Sequence, residues 1–409
     1  MTQTFELQLT GMAYGGEAFG RDESGRMVFV PFALPGERVL VRTVEEHKRW
    51  ARAFPEKVLV GSELRIDPRC KHFGLCGGCH YQHIPYDEQL RFKREIVIDQ
   101  LQRIGGFAEP PVVDCVPSPS TWQYRNRMRF HRSQDGELGF YDHAGSEIFV
   151  VEECHLPQKN LEVLWPEVDI EALETVKQVG LRDGSQGPAM IVLHASGKPD
   201  IEALVQLPAS MVWSSEAGNF VLAGDDHITI EVSQRDFRVS PGSFFQVNTA
   251  MITELVAHVM DLLDPIAGEH ILDLYAGVGL FSRFLAEKEV VLLGIEQSTS
   301  ACADYLVNLE GYETVELWAA SVEEGLASVE LEPDAALLDP PRAGVSNQAF
   351  DELMRLAPDR IVYVSCDPAT LARDAKKLEA AGYQLRSVTP FDMFPQTYHI
   401  ETVSLWIAL

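Results

Sequence analysis

Residues 250–409 alternate between short apolar runs and segments with helical spacing, and this alternation constrains the fold more than any other feature. Seven runs read as strands: His270 to Tyr275, Val290 to Glu296, Val315 to Trp318, Asp334 to Asp339, Arg360 to Cys366, Tyr383 to Val388 and Glu401 to Leu409. Because helices separate most of these strands, we predict a doubly wound, mainly parallel α/β sheet. Such sheets bind ligands at the carboxyl ends of their strands, where we expect the chemistry of this chain.

The rest of the chain is organised differently. Residues 1–60 contain short strands interrupted by glycines, a pattern typical of a small β-barrel. Residues 61–249 begin with a cysteine-rich loop and an amphipathic helix over 86–104, and continue with strand-like segments typical of an antiparallel sheet. A chain of 409 residues is long enough for two or three cores. We therefore predict three domains, 1–60, 61–249 (an α+β central domain) and 250–409.

Charge is distributed unevenly along the chain, whose formal net charge is −27. Residues 161–409 hold 14 Lys and Arg residues against 39 Asp and Glu residues, whereas the first 160 residues are close to balance. This acidity argues against indiscriminate binding of polyanions, but it permits a nucleic-acid contact in the first part. No apolar run has the length of a membrane span, and the first residues lack the pattern of a signal peptide. We therefore expect a cytoplasmic protein without membrane contact.

A basic stripe is predicted at the start of the antiparallel segments. In Tyr124 to Arg132 the two-residue period of a strand would place Arg125, Arg127 and Arg129 on one face and Met128 and Phe130 on the other. The face is either simply solvated or in contact with phosphates, and the sequence leaves both readings open.

A glycine-containing loop follows the first strand of the alternating region. Asp273 to Phe281 reads as strand, loop and helix, and it contains Gly277 and Gly279, which allow backbone to approach a ligand closely. Glu296 ends the next strand, where a carboxylate can accept both ribose hydroxyls of a nucleoside. The third glycine of the dinucleotide fingerprint is missing, which favours S-adenosylmethionine over the nicotinamide cofactor of an oxidoreductase. Methyl transfer is therefore the leading reaction.

Two other strands end in candidate catalytic residues. Cys366 directly follows an apolar run, and a thiol at this edge is a candidate nucleophile, with a buried packing role as the alternative. Asp339 ends another run and is followed by two prolines, which stop the strand and fix the loop. A plain turn is the alternative for Asp339.

Four of the seven cysteines form a separate group. Cys70, Cys76 and Cys79 lie in one loop, and with Cys154 they supply four thiolates. The odd number of cysteines without a regular framework makes a disulfide scaffold a poor explanation. Four thiolates suit tetrahedral zinc or an iron–sulfur cluster, and spacing alone does not choose between them.

Together these motifs resemble those of the RNA uracil-5 methyltransferase family, whose members make 5-methyluridine in transfer and 23S ribosomal RNA. The matching stretches are Ser243 to Asn248, Asp273 to Phe281, Glu296, Asp339 to Arg342, Ser365 to Asp374 and His399 to Glu401. Residues 11–42 resemble the TRAM domain, an RNA-binding OB-like barrel found at the amino end of many members. The resemblance implies a class I, Rossmann-like methyltransferase domain behind this barrel.

The resemblance also implies roles for individual residues. Cys366 would be the nucleophile that adds to C6 of uracil, and Glu401 would be the base that removes the C5 proton. Asp339 would hydrogen-bond the uracil edge. The implied contacts of the donor pocket are Gln246, Tyr275, Gly277, Gly279, Glu296 and Asp339.

The four grouped cysteines also resemble those of the family members that carry an iron–sulfur cluster. The resemblance therefore implies a [4Fe-4S] cluster rather than zinc at these cysteines. The resemblance further implies that the helix over 86–104 packs on the catalytic domain. We predict a monomer that uses S-adenosylmethionine to methylate ribosomal or transfer RNA. The alternatives are an RNA-binding iron–sulfur protein without methyl transfer and a cytosine-5 RNA methyltransferase.

Overall fold

The amino-terminal strands close into a barrel in the computed structural model, which describes residues 4–197 and 207–409. The strands are β1 (Thr4–Met12), β2 (Glu17–Arg21), β3 (Met27–Pro31), β4 (Arg38–Glu46) and β5 (Trp50–Val60). Their order is β1-β2-β3-β5-β4, and β4 pairs with β1 to complete the circle. Alternate side chains fill the interior, as the period of a strand requires. The predicted OB-like barrel is confirmed.

A mostly antiparallel sheet forms the central part, after helix α1 (Tyr86–Gln100) and the π-helical turn that extends it over Leu101–Gly105. Its strands are β6 (Arg127–Arg132), β7 (Leu138–Tyr141), β8 (Ile148–Val150), β9 (Val176–Arg182), β10 (Met190–Ala195), β11 (Ser210–Ser215) and β12 (Gly218–Ala223). The order is β12-β11-β10-β9-β6-β7-β8, and among the described strands of this sheet only β10 and β11 pair in parallel. One face packs against helix α2 (Lys159–Leu164) and the short 3-10 turn that follows it.

The basic stripe is shorter than the sequence predicts. Strand β6 begins at Arg127, and Arg127 and Arg129 lie on one face while the alternate residues are buried. Arg125 lies outside the strand, because its backbone is hydrogen-bonded to the loop at 156–158 and bridges Asn248. Local alternation cannot reveal a distant loop that competes for the same backbone groups. The predicted three-residue stripe was therefore wrong at Arg125.

A two-stranded hairpin connects the central sheet to the last part of the chain. It consists of β13 (Ile228–Val232) and β14 (Arg235–Val239), and helix α3 (Thr249–Leu263) follows. The buried side chains of the hairpin and of α3 share one apolar cluster with the sheet described next. The hairpin therefore supports that sheet although it precedes residue 250.

The last part is a seven-stranded sheet with helices on both faces. Its elements in chain order are β15 (His270–Leu274), α4 (Leu280–Ala286), β16 (Val291–Glu296), α5 (Thr299–Asn308), β17 (Val315–Ala319), α6 (Val322–Ala327), β18 (Ala335–Leu338), α7 (Asn347–Leu356), β19 (Arg360–Ser365), α8 (Pro368–Ala380), β20 (Tyr383–Phe391) and β21 (Glu401–Ala408). The order is β17-β16-β15-β18-β19-β21-β20, with β21 antiparallel to both neighbours. Both faces are covered, which explains the continuous apolar runs. The predicted doubly wound sheet is confirmed.

Helix α1 packs on this sheet, although Phe92 also packs against Tyr81 and Ile84, its neighbours in sequence. Ile96, Val97 and Leu101 are buried in the same apolar cluster as Leu371 and Ala372 of α8. Lys93 is also fully buried and forms an ion pair with Asp392, 2.5 Å between Nζ and Oδ1. In the described ranges no helix is long and apolar enough to cross a membrane.

Candidate active site

Strand pairing brings Cys366 and Glu401 to the same edge of the sheet. Ser365 pairs with Thr402 in the antiparallel ladder between β19 and β21, so Cys366 and Glu401 are the next residues outward on the two strands. The Thr402 hydroxyl donates to the Ser365 carbonyl at 3.0 Å, which fixes this end of the ladder. A thiol and a carboxylate from distant parts of the sequence therefore lie side by side.

The turn that carries Cys366 is fixed by the following aspartate. Asp367 Oδ1 accepts hydrogen bonds from the backbone N–H groups of Ala369 (3.0 Å) and Thr370 (2.9 Å), so Asp367 is the N-cap of α8. Its own N–H donates to the Ser365 hydroxyl at 3.3 Å. The short passage from β19 to α8 thus holds Cys366 in one position.

Burial raises the pKa of the partly buried Cys366 thiol to about 12, and the nearby carboxylates of Glu401 and Asp339 add to this rise. The positive charge of Arg342 acts in the opposite direction and lowers the pKa. The resting thiol is therefore protonated near neutral pH, and attack on a substrate requires that the proton leave.

The two carboxyl groups of the site also have raised pKa values. Burial raises the pKa of Asp339 to about 7, and the charge of Asp273 contributes. Burial raises the pKa of Glu401 well above its usual range, with Asp339 adding to the rise and Arg342 opposing it. Carboxylates of raised basicity are suited to accept protons during catalysis.

Arg342 connects the turn after β18 to the segment before β21. Its Nη2 lies 3.4 Å from Nδ1 of His399, and its carbonyl accepts from the Thr370 hydroxyl at 3.0 Å. Burial and the charge of Arg342 lower the pKa of His399 to about 3, so this ring is neutral and can accept from the guanidinium.

The glycine loop and Glu296 form a second arrangement at the same sheet edge. Glu296 Oε2 accepts from the N–H of Gly277 at 2.9 Å, and Oε1 accepts from that of Ser298 at 2.7 Å. A side chain at Gly277 would meet nothing within 4 Å, so the space in front of the loop is open. At Gly279, with φ of 85°, a Cβ would lie 2.5 Å from Leu309. The first glycine leaves room for a ligand and the second permits packing.

The other residues predicted to contact the methyl donor are Tyr275, Gln246 and Asp339. Tyr275 has a positive φ of 63° directly after β15, a strained conformation for a tyrosine. Gln246 is buried, and its backbone carbonyl accepts a hydrogen bond from the side-chain amide of Asn126 at 3.0 Å. The N–H of Asp339 donates to the Leu274 carbonyl at 3.2 Å, which joins the ends of β18 and β15.

Some site residues had no role in the sequence-based prediction, although they lie in its motifs. Asp273 is buried beneath the glycine loop, where Oδ2 accepts from the Ser282 hydroxyl at 2.5 Å and burial raises its pKa to about 7. The positive charge of Arg342 lowers the pKa of both Cys366 and Glu401. Phe244 is 62% exposed, two residues before Gln246, an unusual position for an aromatic ring. The signal available in the sequence was the pair of adjacent aromatic residues, Phe244 and Phe245, of which only Phe245 is buried.

The four grouped cysteines meet around one cavity. Cys70, Cys76, Cys79 and Cys154 are free and line a space of about 540 Å³ together with Arg125. Burial raises the pKa of Cys79 to about 12 and that of Cys154 to about 11. In the part of the chain that the structure describes, no group of three or more Cys, His, Asp or Glu residues is arranged to hold a metal ion. The predicted metal site stays a prediction.

Comparisons with known proteins give the family of this chain. Residues 323–408 match the model of the tRNA (uracil-5-)-methyltransferase family, and residues 2–53 match the TRAM domain. A protein of Aquifex aeolicus named as an uncharacterized RNA methyltransferase is 34% identical, over 98% of this chain and 97% of its own length. The chain belongs to the RNA uracil-5 methyltransferase family. The match to both ends of the chain agrees with the motifs on which the resemblance was based.

Other members show the same relationship. A Thermotoga maritima RNA methyltransferase is 31% identical over 97% of each chain. The crystal structure of Pyrococcus abyssi tRNA (uracil-54, C5)-methyltransferase in complex with S-adenosyl-L-homocysteine superposes with a TM-score of 0.75, at 29% identity and with 100% of each chain covered. The family places the protein among the S-adenosylmethionine-dependent RNA methyltransferases, and the predicted family, fold class and enzyme class are confirmed.

Proposed function

We propose that this enzyme methylates C5 of a uridine in RNA through a covalent adduct between Cys366 Sγ and C6 of the base. The position of Cys366 beside Glu401, at the paired ends of β19 and β21, carries the proposal. Activation of uracil needs a nucleophile and a base that reach adjacent carbons of one ring. Asp339 and Arg342 supply a carboxyl and a cation at the same place.

The chemistry requires a thiolate because uracil C5 is a weak nucleophile. When Sγ adds to C6, the C5–C6 π electrons become available and C5 takes the methyl group from the sulfonium of the donor. The Glu401 carboxylate then accepts the C5 proton. The electron pair of that C–H bond restores the C5–C6 double bond while the S–C6 bond breaks, which releases methylated base and free Cys366.

The thiol of Cys366 must first lose its proton. Arg342 favours this step, since its charge lowers the pKa of the thiol, and the raised basicity of Asp339 provides a nearby acceptor. Near neutral pH a carboxyl group with a pKa of about 7 is present in both forms, so Asp339 can receive a proton and release it again.

We further propose that S-adenosylmethionine binds at the glycine loop, between Gly277 and Glu296. Each oxygen of Glu296 accepts one backbone N–H and retains capacity for a ribose hydroxyl. The open space at Gly277 supports close approach of the donor. Asp339 follows β18, which lies between β15 and β19 in the sheet, so it stands between this loop and Cys366. Gln246 belongs to a further family motif of the donor pocket.

We propose that RNA reaches the site along the face of the central sheet that carries Arg127 and Arg129. The two cations are neighbours, because the charge of Arg129 contributes to the lowered pKa of the largely buried Arg127. Neither forms an ion pair with any residue in 4–197 or 207–409, so both are available to phosphates. The exposed ring of Phe244 offers a surface on which an unstacked base can pack.

The reaction is tested with two substitutions and RNA from a strain that lacks this gene. Cys366→Ala should abolish incorporation of labelled methyl groups while S-adenosylhomocysteine binding is unchanged. Cys115→Ala is the matched control, because Cys115 is a buried thiol with its Sγ 3.9 Å from the Val116 carbonyl and outside the site. Retained turnover in Cys366→Ala would refute the nucleophile.

The role of Glu401 has a separate test. Addition and methyl transfer do not need this carboxylate, whereas elimination does, so Glu401→Gln should accumulate a protein–RNA adduct visible on denaturing gels. No adduct in Glu401→Gln, together with normal donor binding, would contradict the role as base. Mass spectrometry of the modified nucleoside distinguishes 5-methyluridine from 5-methylcytidine, the product of the alternative reaction.

We propose that Cys70, Cys76, Cys79 and Cys154 hold a [4Fe-4S] cluster. Four free thiols around one cavity supply the ligand set, and a cavity of about 540 Å³ is far larger than a single ion requires. Arg125 on the same cavity would offset part of the negative charge. When bound, the cluster would tie the loop at 70–79 to Cys154 and rigidify this region.

Anaerobic purification tests the cluster. A brown protein with an iron-to-sulfide ratio near one and a broad visible absorbance supports it, and Cys154→Ser should lose that absorbance while Cys115→Ser should not. A colourless protein that contains zinc would establish the alternative. This readout does not depend on methyl transfer.

We also propose that the chain is a monomer with three units, 1–60, 61–249 and 250–409. The barrel has an apolar cluster of its own, and so does one face of the central sheet, which supports three units. The other face of the central sheet, through Met190, Val192 and Val212, shares an apolar cluster with the hairpin at 228–239 and the catalytic sheet. Light scattering at several protein concentrations tests the monomer. Limited proteolysis with mass spectrometry tests the boundaries.

A further inference from the structure

The barrel sends one side chain into the catalytic domain. Tyr14 lies in the loop between β1 and β2, and its hydroxyl donates to Asp367 Oδ2 at 2.9 Å. Gly15 and Gly16 follow with φ of 105° and 85°, and a Cβ at Gly16 would lie 3.0 Å from the ring of Tyr398. The loop can reach the catalytic domain this closely because no side chain intervenes at Gly16.

The acceptor of this hydrogen bond is the residue directly after the proposed nucleophile. Asp367 uses Oδ1 to cap α8 and Oδ2 to accept from Tyr14, so both oxygens are held. The charge of Asp367 is one of the causes that raise the pKa of Cys366. The hydrogen bond from Tyr14 thus fixes a carboxylate whose charge bears on the thiol.

Tyr14 is held in place by packing against the ring of Tyr398 and by its hydrogen bond to the charged Asp367. Its ring packs edge-on against Tyr398, with 6.0 Å between centroids, and Tyr398 packs in turn against His80 at 4.6 Å. Burial and the charge of Asp367 raise the pKa of Tyr14 well above its usual range, so the hydroxyl remains a donor. The contact is thus part of a packed junction between barrel and catalytic domain.

We propose that Tyr14 is a positioning residue for catalysis, which holds the Asp367 carboxylate away from the thiolate of Cys366. The barrel would then complete the active site in addition to any contact with RNA. The inference rests on the proposed role of Cys366 as the nucleophile. It predicts that loss of one hydroxyl on the barrel makes a thiol of the catalytic domain less reactive.

The experiment compares Tyr14→Phe with the wild-type full chain by the rate at which iodoacetamide alkylates Cys366, followed by mass spectrometry of its peptide. The groups that face the thiol, Glu401, Asp339, Arg342 and Asp367, are unchanged in the variant. Loss of a hydrogen bond to a charged group should slow alkylation about 3- to 10-fold at each alkaline pH. The curve of rate against pH should move to higher pH.

The opposite result would overturn the proposal. If Tyr14 only packs the junction, Tyr14→Phe leaves the rate unchanged, or it loosens the site and alkylation becomes faster. Tyr383→Phe is the matched control, because its hydroxyl donates to the Pro358 carbonyl at 2.8 Å at the other end of the sheet. This variant should alkylate at the wild-type rate.

A second variant tests the route through Asp367. Asp367→Asn keeps an N-cap for α8 but removes the charge. Tyr14→Phe should then have little further effect on alkylation, and a full additional effect in the double variant would contradict the route through Asp367. Far-ultraviolet circular dichroism identifies any variant that has lost its fold.

The alkylation assay needs neither RNA nor methyl donor, so its outcome is separable from that of the proposed function. If Cys366→Ala retains turnover, the proposed function fails whatever the alkylation result. If the proposed function holds, Tyr14→Phe should lower kcat about 3- to 10-fold with KM for RNA little changed. A change confined to KM would assign Tyr14 to RNA binding and overturn positioning.

Discussion

Removal of one partner of the buried ion pair between Lys93 and Asp392 should destabilise the fold strongly near neutral pH and less as the pH falls. Both side chains are fully buried, with 2.5 Å between Nζ and Oδ1, and Nζ also donates to the Phe394 carbonyl at 3.1 Å. Lys93→Met would leave Asp392 without its cation. Removal of one partner of a buried pair typically costs about 3–5 kcal/mol.

An independent estimate comes from proton uptake. An aspartic acid that must be neutral in the folded state but has a reference pKa of about 3.9 when unfolded costs about 4 kcal/mol at pH 7 and about 2 kcal/mol at pH 5.5. The folded variant binds the extra proton, so its stability falls as pH rises and recovers as pH approaches 4. The difference between Lys93→Met and wild type should therefore shrink by about half between pH 7 and pH 5.5.

Urea unfolding monitored by circular dichroism at the two pH values measures this difference, and hydrogen exchange of α1 shows whether the loss is local. Arg91→Met on the same helix is the control, because Arg91 pairs with Glu88 at a site where its side chain is 46% exposed. That control should cost less than about 1 kcal/mol. A cost for Lys93→Met that matches the control, or that is the same at both pH values, would refute the reasoning.

Three further predictions concern the donor loop and the RNA path. Glu296→Ala should weaken binding of S-adenosylhomocysteine about 10- to 100-fold in calorimetry, since two ribose hydrogen bonds are lost, and wild-type affinity would argue against the site. Arg129→Gln should weaken RNA binding and reduce the slope of log affinity against log salt by about 0.7–0.9, whereas an unchanged slope would exclude a phosphate contact. Gly279→Ala should destabilise the fold by about 1–3 kcal/mol because its Cβ would meet Leu309 at 2.5 Å. Gly277→Ala, which meets open space, should cost less in thermal unfolding.

The edge of the sheet that holds the candidate site could be predicted from the sequence, because the carboxyl ends of parallel strands lie at one edge. Cys366, Asp339 and Glu296 each follow or end an apolar run, and the structure places all three at that edge. Their identity as candidates needed no knowledge of strand order. The pairing of β19 with β21, which sets Glu401 beside Cys366, was not visible in the alternation of strands and helices.

Long-range contacts were the part that the sequence could not supply. Tyr14 and Asp367 are 353 residues apart, and neither lies in a pattern that refers to the other. Arg125 fits a strand by local alternation, but backbone bonds from a loop 31 or more residues away take it out of the sheet. These competing hydrogen bonds form only in the assembled fold, so the alternation of side chains along one segment does not indicate them.

Because β21 runs antiparallel to β19, the distance between Cys366 and Glu401 depends on how the two strands are aligned. The proposed nucleophile, Cys366, directly follows β19, and the proposed base, Glu401, is the first residue of β21, so a slip of β21 by two residues would move Glu401 by about 7 Å along the sheet. The burial of Trp406 near the opposite end of β21 opposes that slip, as does the hydrogen bond from the Ser404 hydroxyl to the Tyr363 carbonyl of β19 at 3.3 Å. Packing near one end of β21 therefore fixes the position of Glu401 relative to Cys366 at the other end.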